Sequence, residues 1–145
     1  MADGGQLREI LLHGGSDETF DRSVLFARRL AESFGARLHV VYTVADPLSA
    51  GWTAEMSADR LPDLHQAMEA EARERLARLV SMEEQDRLGV EIVLRTGPPA
   101  QEIVRYAADH QIDLAIVVAP QAGGTGTDIA RALLDEASCA VLALR

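Results

Sequence analysis

The sequence predicts an α/β domain: a doubly wound parallel sheet with helices on both faces. Three observations point to it. Short apolar runs recur along the chain, and they are continuous rather than alternating, as suits strands covered on both sides. Helical patterns fall between consecutive runs. No linker, repeat or low-complexity stretch interrupts the 145 residues, so the alternation belongs to one unit, and the right-handed crossover rule makes its strands parallel.

The strand runs are Ile10–Leu12, Leu38–Tyr42, Val90–Leu94, Leu114–Val118 and Ala140–Leu144. Between the first two, Phe20, Val24, Ala27, Ala31 and Phe34 repeat at helical spacing and predict one buried face. Ser16 is the expected N-cap, Asp17 and Glu18 suit the helix dipole, and Gly35 is placed to end the helix in a left-handed conformation. Residues Ala45 to Pro62, with Pro47, Gly51 and Trp52, read as an irregular excursion, a lid or an interface. A second helix follows on Leu61, Leu64, Met68, Ala72, Leu76 and Leu79, with its charged face in solvent. Pro98 and Pro99 open a third, where a missing amide donor costs nothing, and Ile103, Val104 and Ala107 form its stripe. Ile129, Ala130, Leu133, Leu134 and Ala137 form the stripe of a fourth.

At this length, with 48% apolar and 26% charged residues, a single globular domain over 1–145 is expected. The net charge of −9, with no basic cluster, argues against nucleic acid or an anionic membrane as partner. Cys139 is the one cysteine, so no internal disulfide can form. The first residues lack the basic and apolar regions of a signal peptide, and no apolar run approaches the roughly 20 residues that span a bilayer. A cytoplasmic protein is expected.

Ligands in such sheets bind beyond the carboxyl ends of the strands. Two glycine loops fall there: His13-Gly14-Gly15-Ser16-Asp17 and Gly123-Gly124-Thr125-Gly126-Thr127-Asp128. Free amides at the helix start after each can hold a phosphate, which makes Gly14, Ser16, Gly124, Gly126 and Thr127 the candidate nucleotide or anion site. The structural alternative is a pair of tight turns, capped by Ser16 and by Thr127 or Asp128. No lysine follows either loop, so neither is a P-loop.

Catalytic signals are sparse. His13, His39, His65 and His110 show no metal-ligand spacing, and no metal site is predicted. His39 lies within a strand and reads as a packed or edge histidine, whereas His13 stands at a strand end beside glycines. Cys139 reads as a small buried hydrophobe, since no partner base can be named. Nothing pairs Asp113 with Asp128 as acid and base.

Several phrases, taken in order, resemble the universal stress protein family over almost the whole chain: Gly-Ser after strand one, Phe34–Val41, Gly97–Ile103, Ile112–Val118 and Ala137–Leu142. The resemblance implies a Rossmann-like, adenine nucleotide α-hydrolase-like sheet of five strands in the order 3-2-1-4-5. It also implies a homodimer paired through the last strand, Cys139 to Leu144, and an exposed apolar edge strand needs such cover. Members of the family that bind ATP resemble one another in an Asp at the end of strand one and in G-x-x-G followed further on by G-[S/T] after strand four. Here Gly14 stands in place of the Asp, and Val118-Ala119-Pro120-Gln121 in place of G-x-x-G. Gly126-Thr127 matches the closing pair, but the loop between is shorter.

The first functional expectation is therefore a non-enzymatic stress-response or regulatory protein, a homodimer with an unknown regulatory protein partner, in which ATP binding is lost or altered. The alternative is a nucleotide sensor that holds ATP on the loop after strand four and reshapes the Ala45–Pro62 excursion. A third comes from partial similarity of His13–Asp17 to the S-G-G-x-D loop of ATP pyrophosphatases. His13 replaces its first Ser, Glu18 a following one, and the chain has no room for a substrate domain.

Overall fold

Runs and helices follow one another as β1 (Glu9–His13), α1 (Glu18–Phe34), β2 (Arg37–Val44), α2 (Ala54–Leu79), α3 (Met82–Leu88), β3 (Glu91–Thr96), α4 (Pro99–Asp109), β4 (Leu114–Val118), α5 (Thr125–Glu136) and β5 (Ala140–Leu144). The computed structural model describes residues 6–14, 18–48, 51–119 and 123–145. All strands are parallel, in the order β3-β2-β1-β4-β5, as expected.

β1 is the central strand: Ile10 lies beside Leu38 on one side and Leu114 on the other. Its continuous apolar run is thus explained, for Ile10, Leu11 and Leu12 have no exposed surface. Successive side chains point to opposite faces and build two cores. On one face Ile10, Leu12, Leu38 and Val40 meet Phe20, Val24, Ala27 and Ala31 of α1 and Ala72 and Leu76 of α2. On the other, Leu11, Val41, Ala115 and Val117 meet Ile103 and Tyr106 of α4 and Ile129 and Leu133 of α5.

Some expectations need correction. The irregular excursion is shorter than its predicted span to Pro62, because α2 starts at Ala54. Thr53 caps it, its hydroxyl accepting the Met56 amide at 3.1 Å, and good helix formers follow. Pro62 lies inside the helix at an exposed position, where the lost amide donor is tolerated. A separate short helix, α3, was not anticipated; Ser81 caps it by accepting the Glu84 amide, and Gly89 ends it at φ 58°. Phe34 and Leu134 are exposed, at 53% and 71%. Phe34 is the last residue of α1, next to the Gly35 turn at φ 64°, and Leu133 takes the inward position beside Leu134. Gly124 is the N-cap of α5, so Thr127 and Asp128 lie within its first turn and neither caps it.

The two sheet edges differ in chemistry. β3 carries Glu91 and Arg95, whereas β5 reads Ala-Val-Leu-Ala-Leu without a charge, and every one of its residues keeps some exposed surface.

Candidate functional site

The carboxyl ends of β1 and β2 carry Gly14 and Tyr42 on the α1–α2 face. The Gly14 amide donates to the Val41 carbonyl at 2.8 Å, which holds the chain hard against β2 beyond the last strand residue. Tyr42 fills the space above it: a Cβ at Gly14 would lie 2.7 Å from the Tyr42 ring. That ring is held by Phe20, whose centroid is 5.7 Å away. Burial pushes the Tyr42 phenol up to about 12, with smaller opposing contributions from Arg75 and from Asp21 and Glu71. It therefore stays neutral at physiological pH. Beside it lies a cavity of about 210 Å³ lined by Gly14, Tyr42, Thr43, Met68, Glu71, Ala72 and Arg75. Arg75 reaches Asp21 at 2.9 Å and lies 6.0 Å from the Phe20 ring centre, so its charge has partners within the fold.

On the opposite face His13 joins Thr43, Nε2 to Oγ1 at 3.0 Å. Burial lowers its pKa to about 4. An unfolded histidine titrates near 6.5, so the unfolded chain takes up this proton first. The stability contributed by a neutral His13 is full above pH 6.5, declines as pH falls below it, and is lost by about pH 4. Between pH 7 and 5 this amounts to about 2 kcal/mol. Urea unfolding at both pH values is expected to show that loss in the native chain and a smaller one in His13→Gln; equal losses would refute the assignment.

The second glycine loop lies at the end of β4, next to β1 in the sheet. Gly124 is extended, at φ −88° and ψ 176°, while Gly123 has φ 82°. Gly126 is different: a Cβ there would run into the Val118 carbonyl, with the carbonyl carbon 2.8 Å and the Ala119 Cα 3.1 Å away. The first turn of α5 thus rests directly on the end of β4. Thr127 follows in the same turn. Ser16, with Gly15, Asp17, Pro120 and Gln121, lies outside the described residues. Gly14, Gly124, Gly126 and Thr127 are thus brought to one end of the sheet on adjacent strands. Tyr42, Met68, Glu71 and Arg75 were not predicted for the site. The one sequence signal was Tyr42, an aromatic at a strand carboxyl end; the others come from a helix whose facing depends on packing.

His39 lies at the other end of the sheet, 2% exposed. Its Nε2 pairs with Glu9 Oε2 and its Nδ1 with the Tyr106 hydroxyl, both at 2.7 Å. His110 stacks on Tyr106, with ring centroids 3.8 Å apart. This is a satisfied buried network, in line with the packed histidine expected. Near it an open polar cavity of about 460 Å³ is lined among others by Arg8, Glu9, His110 and Asp113. There Asp113 Oδ2 accepts the Arg8 and Glu9 amides and ties β4 to β1.

Among the described residues no three His, Cys, Asp or Glu side chains are grouped as a metal would require. Cys139 is half-buried, and burial raises its thiol, the reverse of an activated nucleophile. No helix among the described residues is long and apolar enough to cross a membrane.

No curated protein matches the chain in sequence. Among solved structures it is similar to the universal stress protein UspA from Lactobacillus plantarum, with a TM-score of 0.69 at 20% identity over 98% of this chain and 100% of that one. A universal stress protein from Archaeoglobus fulgidus in complex with dAMP superposes with a TM-score of 0.57 at 19% identity, over 97% of this chain and 100% of that one. A universal stress protein in complex with cAMP gives 0.59 at 13% identity, over 97% and 98%. The family model described as universal stress protein family matches residues 8–145, and the chain belongs to that family.

Proposed function

We propose that this universal stress protein is a non-enzymatic regulatory homodimer that does not hold ATP in the manner of the family's ATP-binding members. The Tyr42 ring above Gly14 carries the proposal. Where those members resemble one another in an Asp, this chain has a glycine whose face is occupied by an aromatic ring, and an Asp side chain would have no room. Gly126 adds to it: it stands in the first turn of α5, and a Cβ there would meet the Val118 carbonyl, so that turn is seated directly on the end of β4. The cavity beside Tyr42, at about 210 Å³, is also below the roughly 300 Å³ at which ligand sites usually begin.

The dimer rests on the contrast between sheet edges. An edge strand left open is usually guarded by charge. β3 has such charges and β5 has none, so β5 is the edge that takes cover, as Cys139 to Leu144 were expected to. A second copy and an unidentified regulatory protein are the partners proposed, with neither nucleic acid nor membrane among them, and the cytoplasm is the proposed location.

A second reading has an observation of its own. The structural neighbours in complex with cAMP and dAMP carry one phosphate rather than three. A nucleotide sensor for a monophosphate, with the base near Tyr42 and the phosphate at Gly124 and Thr127, is that reading.

Calorimetric titration with Mg-ATP and with AMP decides between them. No heat with either supports the first proposal. Micromolar binding of ATP overturns it, and binding of AMP alone moves the protein to the sensor class.

A further inference from the structure

A parallel sheet has two unlike ends, and the amino end, away from both glycine loops, carries a cleft of its own. The polar cavity beside Arg8, Glu9, His110 and Asp113, of about 460 Å³, shares Ala107, Ala108, Ile112 and Ser138 with a second cavity of about 130 Å³. The two therefore join at the ends of α4 and α5 into one cleft. Its smaller part is an apolar arm along Val104, Ala137 and Cys139, with the exposed Glu136 beside them. The polar chamber alone lies within the roughly 300–1,000 Å³ of small-molecule sites, and a few polar groups joined to an apolar wall are their usual make-up.

What the chamber offers a ligand is mainly hydrogen-bond acceptors. Glu9 Oε2 is held by the buried His39 at 2.7 Å, while its Oε1 has no partner among the described residues. Asp113 Oδ2 accepts the Arg8 and Glu9 amides at 2.9 and 3.0 Å, and its Oδ1 has no such tie among the described residues. His110 Nδ1 lies 3.2 Å from the Tyr106 carbonyl, which can only accept, so this nitrogen carries the proton and a neutral His110 presents Nε2 as an acceptor. Stacking on Tyr106 fixes that ring. The fold thus positions three groups and leaves each with a lone pair to spare. Charge points the same way. The carboxylates of Glu9, Asp113 and Glu136 line the cleft against one guanidinium, that of Arg8, whose Nε and Nη2 donate to Gln6. Both α4 and α5 end at the cleft and bring the negative ends of their dipoles to it. An ammonium group, with three N–H donors and no acceptor, matches this lining. We propose that the cleft binds a small aliphatic amine, its ammonium donating to Glu9, Asp113 and His110 and its alkyl chain lying in the arm along Val104 and Ile112. This site stands apart from the glycine loops and does not depend on whether a nucleotide binds there.

The test is an amide NMR titration of the full chain at low salt with n-pentylamine and with pentanoate, a chain of similar length and opposite charge. Pentylamine is expected to bind at millimolar strength or better and to shift the amides of Ala107, Ala108 and Ser138, with pentanoate at least about tenfold weaker. Ala108 is exposed on α4 and lines both parts of the cleft, so Ala108→Lys spares the core and sets a competing ammonium at their junction. It should weaken pentylamine by about tenfold or more. His110→Phe keeps a ring against Tyr106 but removes Nε2, and should weaken pentylamine about fivefold. Pentanoate binding as tightly as pentylamine overturns the proposal. So does pentylamine binding that neither variant weakens, or no binding at about 10 mM amine.

Discussion

Gly126→Ala is expected to destabilise the protein by about 3 kcal/mol, although alanine is the better helix former. The new methyl would meet the backbone of Val118 and Ala119, and backbone at the end of a central sheet strand cannot swing aside as a long side chain would. α5 would have to lift off β4, and with it Ile129 and Leu133, both fully buried, would lose contact with Ala115 and Val117. For a domain of this size the loss corresponds to a fall of roughly 8 °C in Tm. Gly124→Ser supplies the control. That glycine is the N-cap, its backbone is extended, and serine is favoured there, so stability should hold or rise. Thermal unfolding of the two variants reads both outcomes. A Gly126→Ala protein as stable as the native chain would mean that the close contact with Val118 does not exist.

His39→Ala should cost about 3 kcal/mol as well, by a different mechanism. The substitution leaves a void beside the buried Tyr106 ring and strips two groups of their partner: the buried Tyr106 hydroxyl and the Glu9 carboxylate, which water reaches in part. Tyr106→Phe removes one partner only and is expected to cost about 1.5 kcal/mol. Because the two residues share a hydrogen bond, the double variant should cost less than the sum, and a double-mutant cycle in urea measures the difference. Strict additivity would show that the 2.7 Å contact contributes nothing. Burial holds the Tyr106 phenol up at about 12, with Glu91 adding to the effect, so the hydroxyl remains a donor across the accessible pH range.

The two variants probe opposite ends of the sheet and differ in how far the sequence foretold them. His39 was legible as a packed histidine because it sits inside an apolar run, but neither Glu9 nor Tyr106 could be named as its partners. They lie 30 and 67 residues away along the chain, and only the parallel pairing of β1 with β2 and the placing of α4 bring them together. Gly126 was legible as part of a glycine-rich loop, the common currency of phosphate sites and tight turns alike. Its neighbour Val118 is close in sequence, yet nothing local says that the first turn of α5 folds back onto it.

Local chemistry by itself determined the strands, their parallel arrangement and two helix ends, the Gly35 turn after α1 and Pro99 at the start of α4. A strand buried on both faces must be apolar throughout, a helix covering it must be apolar every third or fourth residue, and Gly35 and Pro99 each mark a helix end. The tertiary structure alone decided what fills the space at the strand carboxyl ends. Whether Gly14 leaves room for a ligand depends on the Tyr42 ring, whose position is set by Phe20 on α1. It likewise decided that α2 passes through Pro62, since the Thr53 cap and the packing of Ala72 and Leu76 outweigh one missing hydrogen bond. Periodicity records which face of an element is buried. The volume left between elements depends on side chains distant in sequence, and only the assembled fold contains it.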